Sequence, residues 1–400
     1  MIPFNEAYQM VLNNVISLPD ENISLLDAGK RILAEDILAD RDFPPFNRAT
    51  KDGIVLNYKS VENGHKFLEL KGTIPAGSAG IELPDEQSAL EIMTGAVVPA
   101  NGDTVVMYEE LEIEGNKVSL PERISKGQNI HLKGSDLREN DCIIKSPKVI
   151  TPSETGILAS VGKHTVKVKK LPRVAVISTG NELVEINETP RPYQIRKSNT
   201  YSIKAALEEF KINASFIHLK DDKAGIVKTL EQALQKYDVL LLSGGVSKGK
   251  YDHLPDAFAT CGVKKIFHKV LQRPGKPFWF GKHTASQTTI FSFPGNPVST
   301  FASFYIYFIP WLKESFGFDV ERYEVVLGED FQANEKLTLF VPVKIVNSQG
   351  KLVALKVRQN GSGDLTSLTN TDGFVRLPPA EIPFVKGTAV PFVSTNYLNY

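Results

Sequence analysis

A regular alternation of strand-like and helix-like segments occupies residues 173–316 and constrains the fold of this chain more than any other feature. Short runs of continuous apolar residues are separated by stretches whose apolar residues recur at helical spacing. Continuous apolar runs are typical of parallel strands that are covered on both faces, and alternating strands and helices favour that architecture. The pattern therefore predicts a doubly wound α/β domain. Its predicted strands are Val174–Ile177, Ser215–Leu219, Val239–Leu242 and Thr289–Phe293, and a long helix, Val298–Phe316, is predicted after the last of them.

The residues on both sides of this domain show a pattern typical of β structure. From about 40 to 140, short apolar stretches alternate with Gly, Pro and Asn turns, which predicts an all-β module. Residues 321–400 return to this pattern and predict a small separate β domain. Apolar residues at helical spacing predict a helix over 4–15, with Phe4 and Val15 on one face. A second short helix is predicted over 151–162, with Pro152 in its first turn and Gly162 near its end. The predicted fold class is thus multidomain, α/β plus β.

The charge balance and the cysteine content exclude several classes of protein. Lys plus Arg number 46 and Asp plus Glu number 46, so the formal net charge is zero. Because nucleic-acid-binding proteins usually have a basic surplus, we expect no nucleic-acid partner. Any anionic ligand must then be bound by a local cluster of cations. The two cysteines, Cys142 and Cys261, allow neither a disulfide framework nor a cysteine-based zinc site.

The sequence shows neither a membrane-spanning segment nor a secretory signal. The longest apolar run, 301–312, is too short to span a bilayer and contains Pro310. The first residues lack the basic region and the apolar core of a signal peptide. We therefore expect a cytoplasmic protein with no membrane partner.

Glycine-rich or acidic turns follow the four predicted strands of the α/β domain. These turns are 178–182 (Ser-Thr-Gly-Asn-Glu), 221–222 (Asp-Asp), 243–247 (Ser-Gly-Gly-Val-Ser) and 294–297 (Pro-Gly-Asn-Pro). Because ligands of open α/β sheets bind at the carboxyl ends of the strands, we expect these turns to lie together. Glycine allows close approach of the backbone, and a helix that starts after such a turn offers N–H groups to phosphate.

Three carboxylates, Glu182, Asp221 and Asp252, are expected at the same edge of the sheet. Magnesium binds oxygen ligands and usually bridges carboxylate to phosphate. Together with the glycine turns, these residues predict a site for a phosphate and a divalent cation. Asp222 is an alternative to Asp221, and each turn taken alone is also consistent with an ordinary loop between a strand and a helix.

A partial P-loop pattern runs through one of these turns. Residues 244–250 match its first seven positions, but Tyr251 stands where a Ser or Thr hydroxyl would bind magnesium. A nucleotide-hydrolysing P-loop is therefore not favoured, although its backbone remains suited to holding phosphate. The turn 273–277 adds Arg273 and Lys276, which would offset the charge of an oxyanion unless the turn is simply solvated.

The predicted β module contains two further polar turns, Asp52-Gly53 and Thr94-Gly95. Both pairs are common turn sequences, so each is consistent with a purely structural role. The seven histidines show no metal-ligand spacing. No nucleophile–base pair is evident either.

Several motifs, in order along the chain, resemble those of the molybdopterin molybdotransferase family, the molybdenum insertases that complete molybdenum cofactor synthesis. The motifs are 92–99 (Ile-Met-Thr-Gly-Ala-x-x-Pro), 178–183 (Ser-Thr-Gly-Asn-Glu-Leu), 243–252 (Ser-Gly-Gly-Val-Ser-x-Gly-x-x-Asp), 274–277 (Pro-Gly-Lys-Pro) and 294–299 (Pro-Gly-Asn-Pro-Val-Ser). The resemblance covers essentially the whole chain, and the ordered set is far more specific than any single motif.

The resemblance implies a chain of four domains. Residues 1–20 with 171–320 would form a molybdopterin-binding α/β domain, 21–39 with 140–170 a connecting domain, 40–139 a projecting β domain, and 321–400 a β-barrel-like C-terminal domain. It also implies a homodimer whose cleft lies between the α/β domain of one subunit and the projecting domain of the other. In such a cleft Asp52 and Thr94 would join the carboxylates of the α/β domain.

The implied reaction is the insertion of molybdate into the dithiolene of adenylylated molybdopterin, with hydrolysis of the phosphoanhydride and release of AMP. Glu182, Asp221 and Asp252 would hold Mg²⁺ against the pyrophosphate. Asp52 and Thr94 would orient water or substrate. The residues implied to bind substrate are Ser178, Thr179, Gly180, Ser243, Gly244, Gly245, Ser247, Arg273, Lys276, Pro294, Gly295, Pro297 and Ser299. Besides a second copy, the implied partners are a molybdopterin adenylyltransferase and the molybdoenzymes that accept the cofactor.

One departure from the family pattern precedes Asp52. The family's Asn-Ser-Ala-Met-Asp-Gly is here Arg-Ala-Thr-Lys-Asp-Gly (48–53), so Lys51 replaces a methionine. A cation that interacts with Asp52 would stabilise its ionised form. Two alternatives remain: a molybdopterin adenylyltransferase or nucleotide pyrophosphatase that uses the same α/β unit, and a non-catalytic carrier of finished cofactor, for which Lys51 is the best support.

Overall fold

The structure is a computed structural model that describes residues 1–246, 253–320 and 323–395. It divides into two compact units. One comprises residues 1–22, 30–32 and 167–400 and is called here the α/β–barrel unit. The other comprises 23–29 and 33–166 and is called the N-terminal unit.

A six-stranded sheet forms the centre of the α/β–barrel unit. In spatial order its strands are Ser215–Leu219, Val174–Thr179, Val239–Ser243, Thr289–Phe293, Trp279–His283 and Val263–His268. The first four are parallel, as the apolar runs predict. The last two are antiparallel to their neighbours, an edge addition that the sequence pattern did not indicate. The sheet is therefore mixed, with a parallel part that carries the four predicted turns.

Helices cover both faces of this sheet, because successive side chains of each strand point to opposite sides. Val174 and Val176 pack in one core together with the helices Phe4–Leu12 and Asn199–Glu208. Ala175 and Ile177 pack in a second core, together with the helices Lys223–Lys236 and Leu254–Thr260. The doubly wound prediction is confirmed.

Two predicted helices end or bend differently from the prediction. The first spans Phe4–Leu12 rather than 4–15, and Val15 lies beyond it, 37% exposed. Asn13 and Asn14 follow the helix, and asparagine favours caps and turns over helix interiors. The long helix predicted from Val298 is divided into Pro297–Ser303, a π-helical turn over Phe304–Phe308, and Ile309–Ser315. Pro310 has no N–H to donate to the preceding turn, which accounts for the irregularity.

The C-terminal part of this unit is a closed five-stranded barrel, so the predicted β-barrel-like domain is confirmed. In order around the barrel the strands are Thr338–Ser348, Lys351–Lys356, Tyr323–Leu327, Ala389–Ser394 and Gly373–Leu377, and the last pairs with the first. Its core is formed by alternate side chains such as Val343, Val375 and Phe392. The strand Val270–Arg273 links the barrel to Ile2–Pro3 by parallel pairing on both sides.

The N-terminal unit contains a second six-stranded sheet, as the turn-rich pattern predicts. Its order is Glu112–Glu114, Lys117–Ser119, Phe67–Ile74, Ser88–Ile92, Gly53–Leu56 and Thr104–Met107. Val55 and Ile54 pack in separate cores on its two faces. The helix Pro152–Ser160 begins where predicted, because Thr151 and Glu154 form a reciprocal capping box at its first turn.

The remaining described elements are short. The helix Lys59–Glu62 and the 3₁₀ turns Leu25–Asp27, Tyr108–Glu110 and Leu365–Asn370 complete the helical segments, and the other strands are Asp20–Ser24, Ile32–Leu33, Ile37–Leu38, Arg48–Ala49, Ile130–His131, Cys142–Ile144, Lys148–Val149, Thr165–Lys169, Leu183–Val184 and Ile195–Arg196. Within the described residues, no helix combines the length and the apolar character that crossing a lipid bilayer requires. The four-domain boundaries expected from the resemblance remain a prediction.

Candidate functional site

The register of the parallel strands places the predicted turns at one edge of the α/β sheet. Ser178 pairs with His218 on one side and with Ser243 on the other, and Ser243 pairs with Phe293. The turns that follow these residues therefore begin at the same level, at the carboxyl ends of the strands. This is the edge at which ligands of open α/β sheets bind.

Two of the turns contact each other through glycines. Gly244 and Gly245 have φ values of +97° and +75°, a conformation that L side chains rarely adopt. A Cβ atom on Gly244 would lie 2.9 Å from the Thr179 hydroxyl, and one on Gly295 would lie 3.6 Å from the Cα atom of Gly244. Gly244 and Gly245 therefore favour glycine, whereas a Cβ atom at Gly295 would be at an ordinary contact distance. Main-chain groups of these glycines line this part of the site.

In the neighbouring acidic turn, Asp221 and Asp222 have different hydrogen-bond partners. The Asp222 carboxylate accepts the Gly225 N–H at 2.9 Å and caps the helix Lys223–Lys236. Asp221 is exposed and forms a reciprocal pair with Asn181, in which each backbone N–H donates to the other's side chain at 3.2 Å. Asp222 is therefore occupied by helix capping, which favours Asp221 as the carboxylate available to a ligand.

Glu182 lies in the first turn, on the same exposed edge. Its carboxylate folds back over Gly180, since a Cβ atom at Gly180 would come within 2.2 Å of Glu182 Oε2. Glu182 and Asp221 thus follow adjacent strands. Among the described residues, no three His, Cys, Asp or Glu side chains are grouped closely enough to hold a metal ion by themselves.

A serine–histidine pair, which the sequence reasoning missed, adjoins these turns. Ser178 Oγ and His218 Nδ1 are 2.9 Å apart, and the serine is buried. Burial lowers the pKa of His218, and the nearby Lys197 ammonium lowers it further, so the imidazole is neutral at neutral pH. The spacing of the histidines along the sequence matches no metal-ligand pattern and does not indicate this pair. The pair could have been predicted from the expected pairing of the two strands whose ends carry Ser178 and His218.

The predicted cationic turn follows the strand Val270–Arg273, and a second histidine, His268, precedes that strand. Arg273 and Lys276 are exposed, and neither has an ion-pair partner among the described residues. His268 Nε2 donates to the Val246 carbonyl at 3.0 Å. The Val270 N–H donates to the Lys276 carbonyl at 2.9 Å and closes the turn. Both cations are therefore exposed on a closed turn, and their position beside the glycine turn remains a prediction.

A loop of the barrel covers the fourth turn, and this contact was not predicted. Asn296 Nδ2 donates to Ser362 Oγ at 2.8 Å, and the Val298 N–H donates to the Ser362 carbonyl at 3.1 Å. We expected the helix start at Pro297 to leave its N–H groups free for phosphate, but Ser362 occupies one of them. Pro294 and the Ser299 side chain are also buried, which leaves Gly295 and Asn296 as the exposed part of this turn.

The N-terminal unit holds Asp52 and Thr94 in direct contact. Asp52 Oδ1 accepts the backbone N–H of Thr94 at 2.6 Å and its hydroxyl at 2.8 Å. These two donors lower the pKa of Asp52. Lys51 is not among the groups that act on it, so the departure before Asp52 does not account for its ionisation.

A second hydrogen-bonded carboxylate, which the sequence did not indicate, lies in the same sheet. Tyr108 Oη donates to Glu91 Oε1 at 3.2 Å, and Thr73 Oγ1 donates to Glu91 Oε2 at 2.6 Å. Burial, with the Glu91 carboxylate, raises the pKa of Tyr108 to about 12. The phenol is therefore a neutral donor, and the Tyr108 N–H also donates to the Asp52 carbonyl at 3.2 Å.

We predict that Thr94→Val raises the pKa of Asp52, because one of its two donors is lost while the backbone N–H remains. A carboxyl group whose pKa is lower in the folded state than in the unfolded state stabilises the folded state at pH values above the unfolded-state pKa. This stabilisation is lost as the pH falls through the folded-state pKa. In a carboxyl ¹³C NMR titration, Asp52 of the variant should titrate at higher pH than Asp52 of the wild type. Thr73→Val, which removes a donor from Glu91 instead, is the matched control. Equal Asp52 titration curves for wild type and Thr94→Val would refute the assignment.

Two predicted site residues, Ser247 and Asp252, lie outside the described residues, as does most of the P-loop-like segment 244–250. Their placement at the edge remains a prediction. The residues that the structure does place at this edge include Ser178, Thr179, Gly180, Glu182, Asp221, Ser243, Gly244, Gly245, Pro294, Gly295 and Pro297, whereas the position of Arg273 and Lys276 relative to it remains a prediction.

Comparison with known proteins identifies relatives along the full chain. Family models match residues 2–162 ("MoeA N-terminal region (domain I and II)"), 175–314 ("Probable molybdopterin binding domain") and 324–394 ("MoeA C-terminal region (domain IV)"). A Synechocystis protein named molybdopterin molybdenumtransferase is 37% identical over 98% of this chain and 99% of its own length. A Staphylococcus aureus (strain Mu50) protein of the same name is 32% identical over 98% of this chain and 96% of its own.

Solved structures agree with these matches. The crystal structure of a molybdopterin biosynthesis MoeA protein from Pyrococcus horikoshii is 28% identical and covers 98% of this chain and 99% of its own, with a TM-score of 0.83. A Pyrococcus furiosus molybdenum cofactor biosynthesis protein, 18% identical with a TM-score of 0.60, shares the fold over 98% of both chains. The resemblance read from the motifs is thereby confirmed, and the chain belongs to the MoeA family.

Proposed function

We propose that this protein is a molybdopterin molybdotransferase, which inserts molybdate into the dithiolene of adenylylated molybdopterin and releases AMP. The observation that carries the proposal is the contact of Gly244 with Gly295 at the sheet edge that also bears Asp221 and Glu182. A backbone-lined, glycine-rich edge with carboxylates suits a phosphoanhydride, and full-length relatives carry this activity in their name.

Each group at the edge has a role that follows from its chemistry. Gly245 and Gly295 offer N–H donors to phosphate oxygens, where preorganised dipoles stabilise developing charge, whereas the Gly244 N–H already donates to the Phe293 carbonyl. Arg273 and Lys276 offset the charge of molybdate or phosphate. Ser178, held by His218, and Thr179, packed against Gly244, orient the polar part of the substrate.

Magnesium is the divalent cation that we propose for this site. Asp221 and Glu182 provide only oxygen donors, which magnesium prefers, and it usually takes one or two carboxylates together with phosphate oxygens and water. The lack of a three-residue cluster among the described residues is consistent with such partial ligation. The ion would offset charge on the phosphoanhydride during cleavage. Asp252 is the third proposed ligand.

We further propose that the active enzyme is a homodimer in which Asp52 and Thr94 of a second copy complete the site. Their mutual hydrogen bonds keep Asp52 ionised, so it accepts a hydrogen bond from water or substrate rather than donating one. A molybdopterin adenylyltransferase would supply the substrate, and molybdoenzymes would accept the product. The cytoplasmic location stays a prediction.

The test is AMP release by the full chain incubated with adenylylated molybdopterin. We expect AMP, quantified by chromatography, only when molybdate and Mg²⁺ are both present, together with cofactor that activates a cofactor-free molybdoenzyme. Consumption of ATP with bare molybdopterin would instead identify an adenylyltransferase. Tight binding of finished cofactor without any turnover would identify a carrier. Either result would overturn the proposal.

A further inference from the structure

We propose that Asn199 is a positioning residue that holds the glycine turn 243–245 and the turn 294–295 together. The inference deepens the proposed function and rests on it, because it concerns the two turns assigned there to phosphate. Neither the motifs nor the comparisons single out Asn199. It is the first residue of the helix Asn199–Glu208, which lies on one face of the α/β sheet.

The Asn199 amide contacts both turns. Its Nδ2 atom donates to Ser243 Oγ at 2.9 Å and to the Gly295 carbonyl at 2.8 Å. The Thr300 hydroxyl lies 3.3 Å away and accepts a longer contact. Because an amide nitrogen carries two hydrogens, the two short contacts use both of them. One side chain therefore links the end of one strand to the turn that follows the adjacent strand of the sheet.

Thr300 closes this network from the other side. Its hydroxyl donates to the Pro294 carbonyl and lies 3.3 Å from Ser243 Oγ. Ser243 and Thr300 are both buried, 5% and 1% exposed, so water does not replace a lost partner readily. Asn199 and Thr300 thus act on the same two turns.

The spacing of the two turns determines where their N–H groups point. Gly244 and Gly295 lie close together, and the Gly244 N–H donates to the Phe293 carbonyl at 3.0 Å. Ser178 does not substitute for Asn199, since its hydroxyl is paired with His218. Without the amide, the Gly295 carbonyl loses its link to Ser243, and the backbone bond of Gly244 and the contacts of Thr300 remain. A small shift of the Gly295 turn then weakens hydrogen bonds that depend on distance and angle.

The amide, rather than the size of the side chain, is what the geometry requires. Aspartate has nearly the same shape but places an acceptor against the Gly295 carbonyl, which is also an acceptor. Asn199→Asp should therefore be at least as damaging as Asn199→Ala, although it leaves no cavity. If Asn199 mattered only for packing, Asn199→Ala would be the more damaging of the two substitutions.

The experiment measures AMP binding by calorimetry and the KM and kcat of AMP release, on the full chain. We expect Asn199→Ala to raise the dissociation constant for AMP and the KM about tenfold, the usual effect of losing one or two buried hydrogen bonds. Asn199→Asp should raise them by at least as much, and kcat should change less. Asn101→Ala, which removes two comparable contacts to the Leu83 backbone in the N-terminal unit, should lower the melting temperature and leave both constants unchanged.

A double-mutant cycle separates positioning from general destabilisation. Thr300→Val should raise the same constants by a smaller factor, and the double variant should fall short of the product, because both residues act on one pair of turns. Unchanged AMP affinity and KM in Asn199→Ala, with a lowered melting temperature, would overturn the inference. If wild type neither binds nor releases AMP, the proposed function itself fails, which is a distinguishable result.

Discussion

Replacing Asp221 by alanine should lower the rate of AMP release on the order of 100-fold, the scale of removing one electrostatic group from a preorganised site. Asp221 is exposed at the carboxyl edge, and its carboxylate is one of two proposed magnesium ligands that the structure places there. With this ligand lost, the Mg²⁺ concentration for half-maximal rate should rise as well. The measurement is the initial rate of AMP release as a function of Mg²⁺.

Asp222→Ala is the matched control for Asp221, since it changes the adjacent carboxylate. Asp222 caps the helix Lys223–Lys236, so its loss should cost about 1 kcal/mol of stability. Turnover and magnesium dependence should remain near wild type. The reverse pattern, in which Asp222→Ala abolishes turnover and Asp221→Ala does not, would show that the two roles are exchanged.

Gly53→Ala should be the most destabilising of the substitutions considered, at about 3–4 kcal/mol for the N-terminal unit. A Cβ atom on Gly53 would lie 1.9 Å from the Val106 carbonyl oxygen, which belongs to the paired strand Thr104–Met107. The clash is with backbone, so no side-chain rotation relieves it. Pairing at this end of the strand should be lost, and with it the position of Asp52.

Gly64→Ala provides the comparison, because Gly64 has a φ of +79° but nothing within 4 Å of an added Cβ atom. Only conformational strain of about 1–2 kcal/mol applies there. Hydrogen exchange of the amides in Gly53–Leu56 measures the difference between the two variants. Equal protection in both would contradict the steric argument for the Asp52-Gly53 pair.

The parallel core could be predicted because its signal is local. Strands such as Thr289–Phe293 are continuous apolar runs, and burial on two faces requires such runs. The helix Pro152–Ser160 was equally readable, since its start depends on Thr151 and Glu154, three residues apart. The antiparallel strands Trp279–His283 and Val263–His268 were missed because edge pairing depends on a partner distant in sequence.

The candidate site was predicted only as a set of turns. Sequence spacing did not distinguish Asp221 from Asp222, and a hydrogen bond to Gly225 does. Nor did it indicate His218, whose partner Ser178 is 40 residues away. The same holds for Ser362, which reaches the turn at Asn296 from the barrel.

By itself, the sequence determined the four parallel strands, the approximate positions of several helices, and the turns that follow those strands. These properties depend on residues a few positions apart, because the spacing of apolar residues and the residue types of the turns are local features of the sequence. Only the tertiary structure decided which side chains in those turns remain available. That choice depends on hydrogen bonds between strands and loops remote in sequence, as between Asn199 and Gly295, and such pairings exist only after the chain has folded.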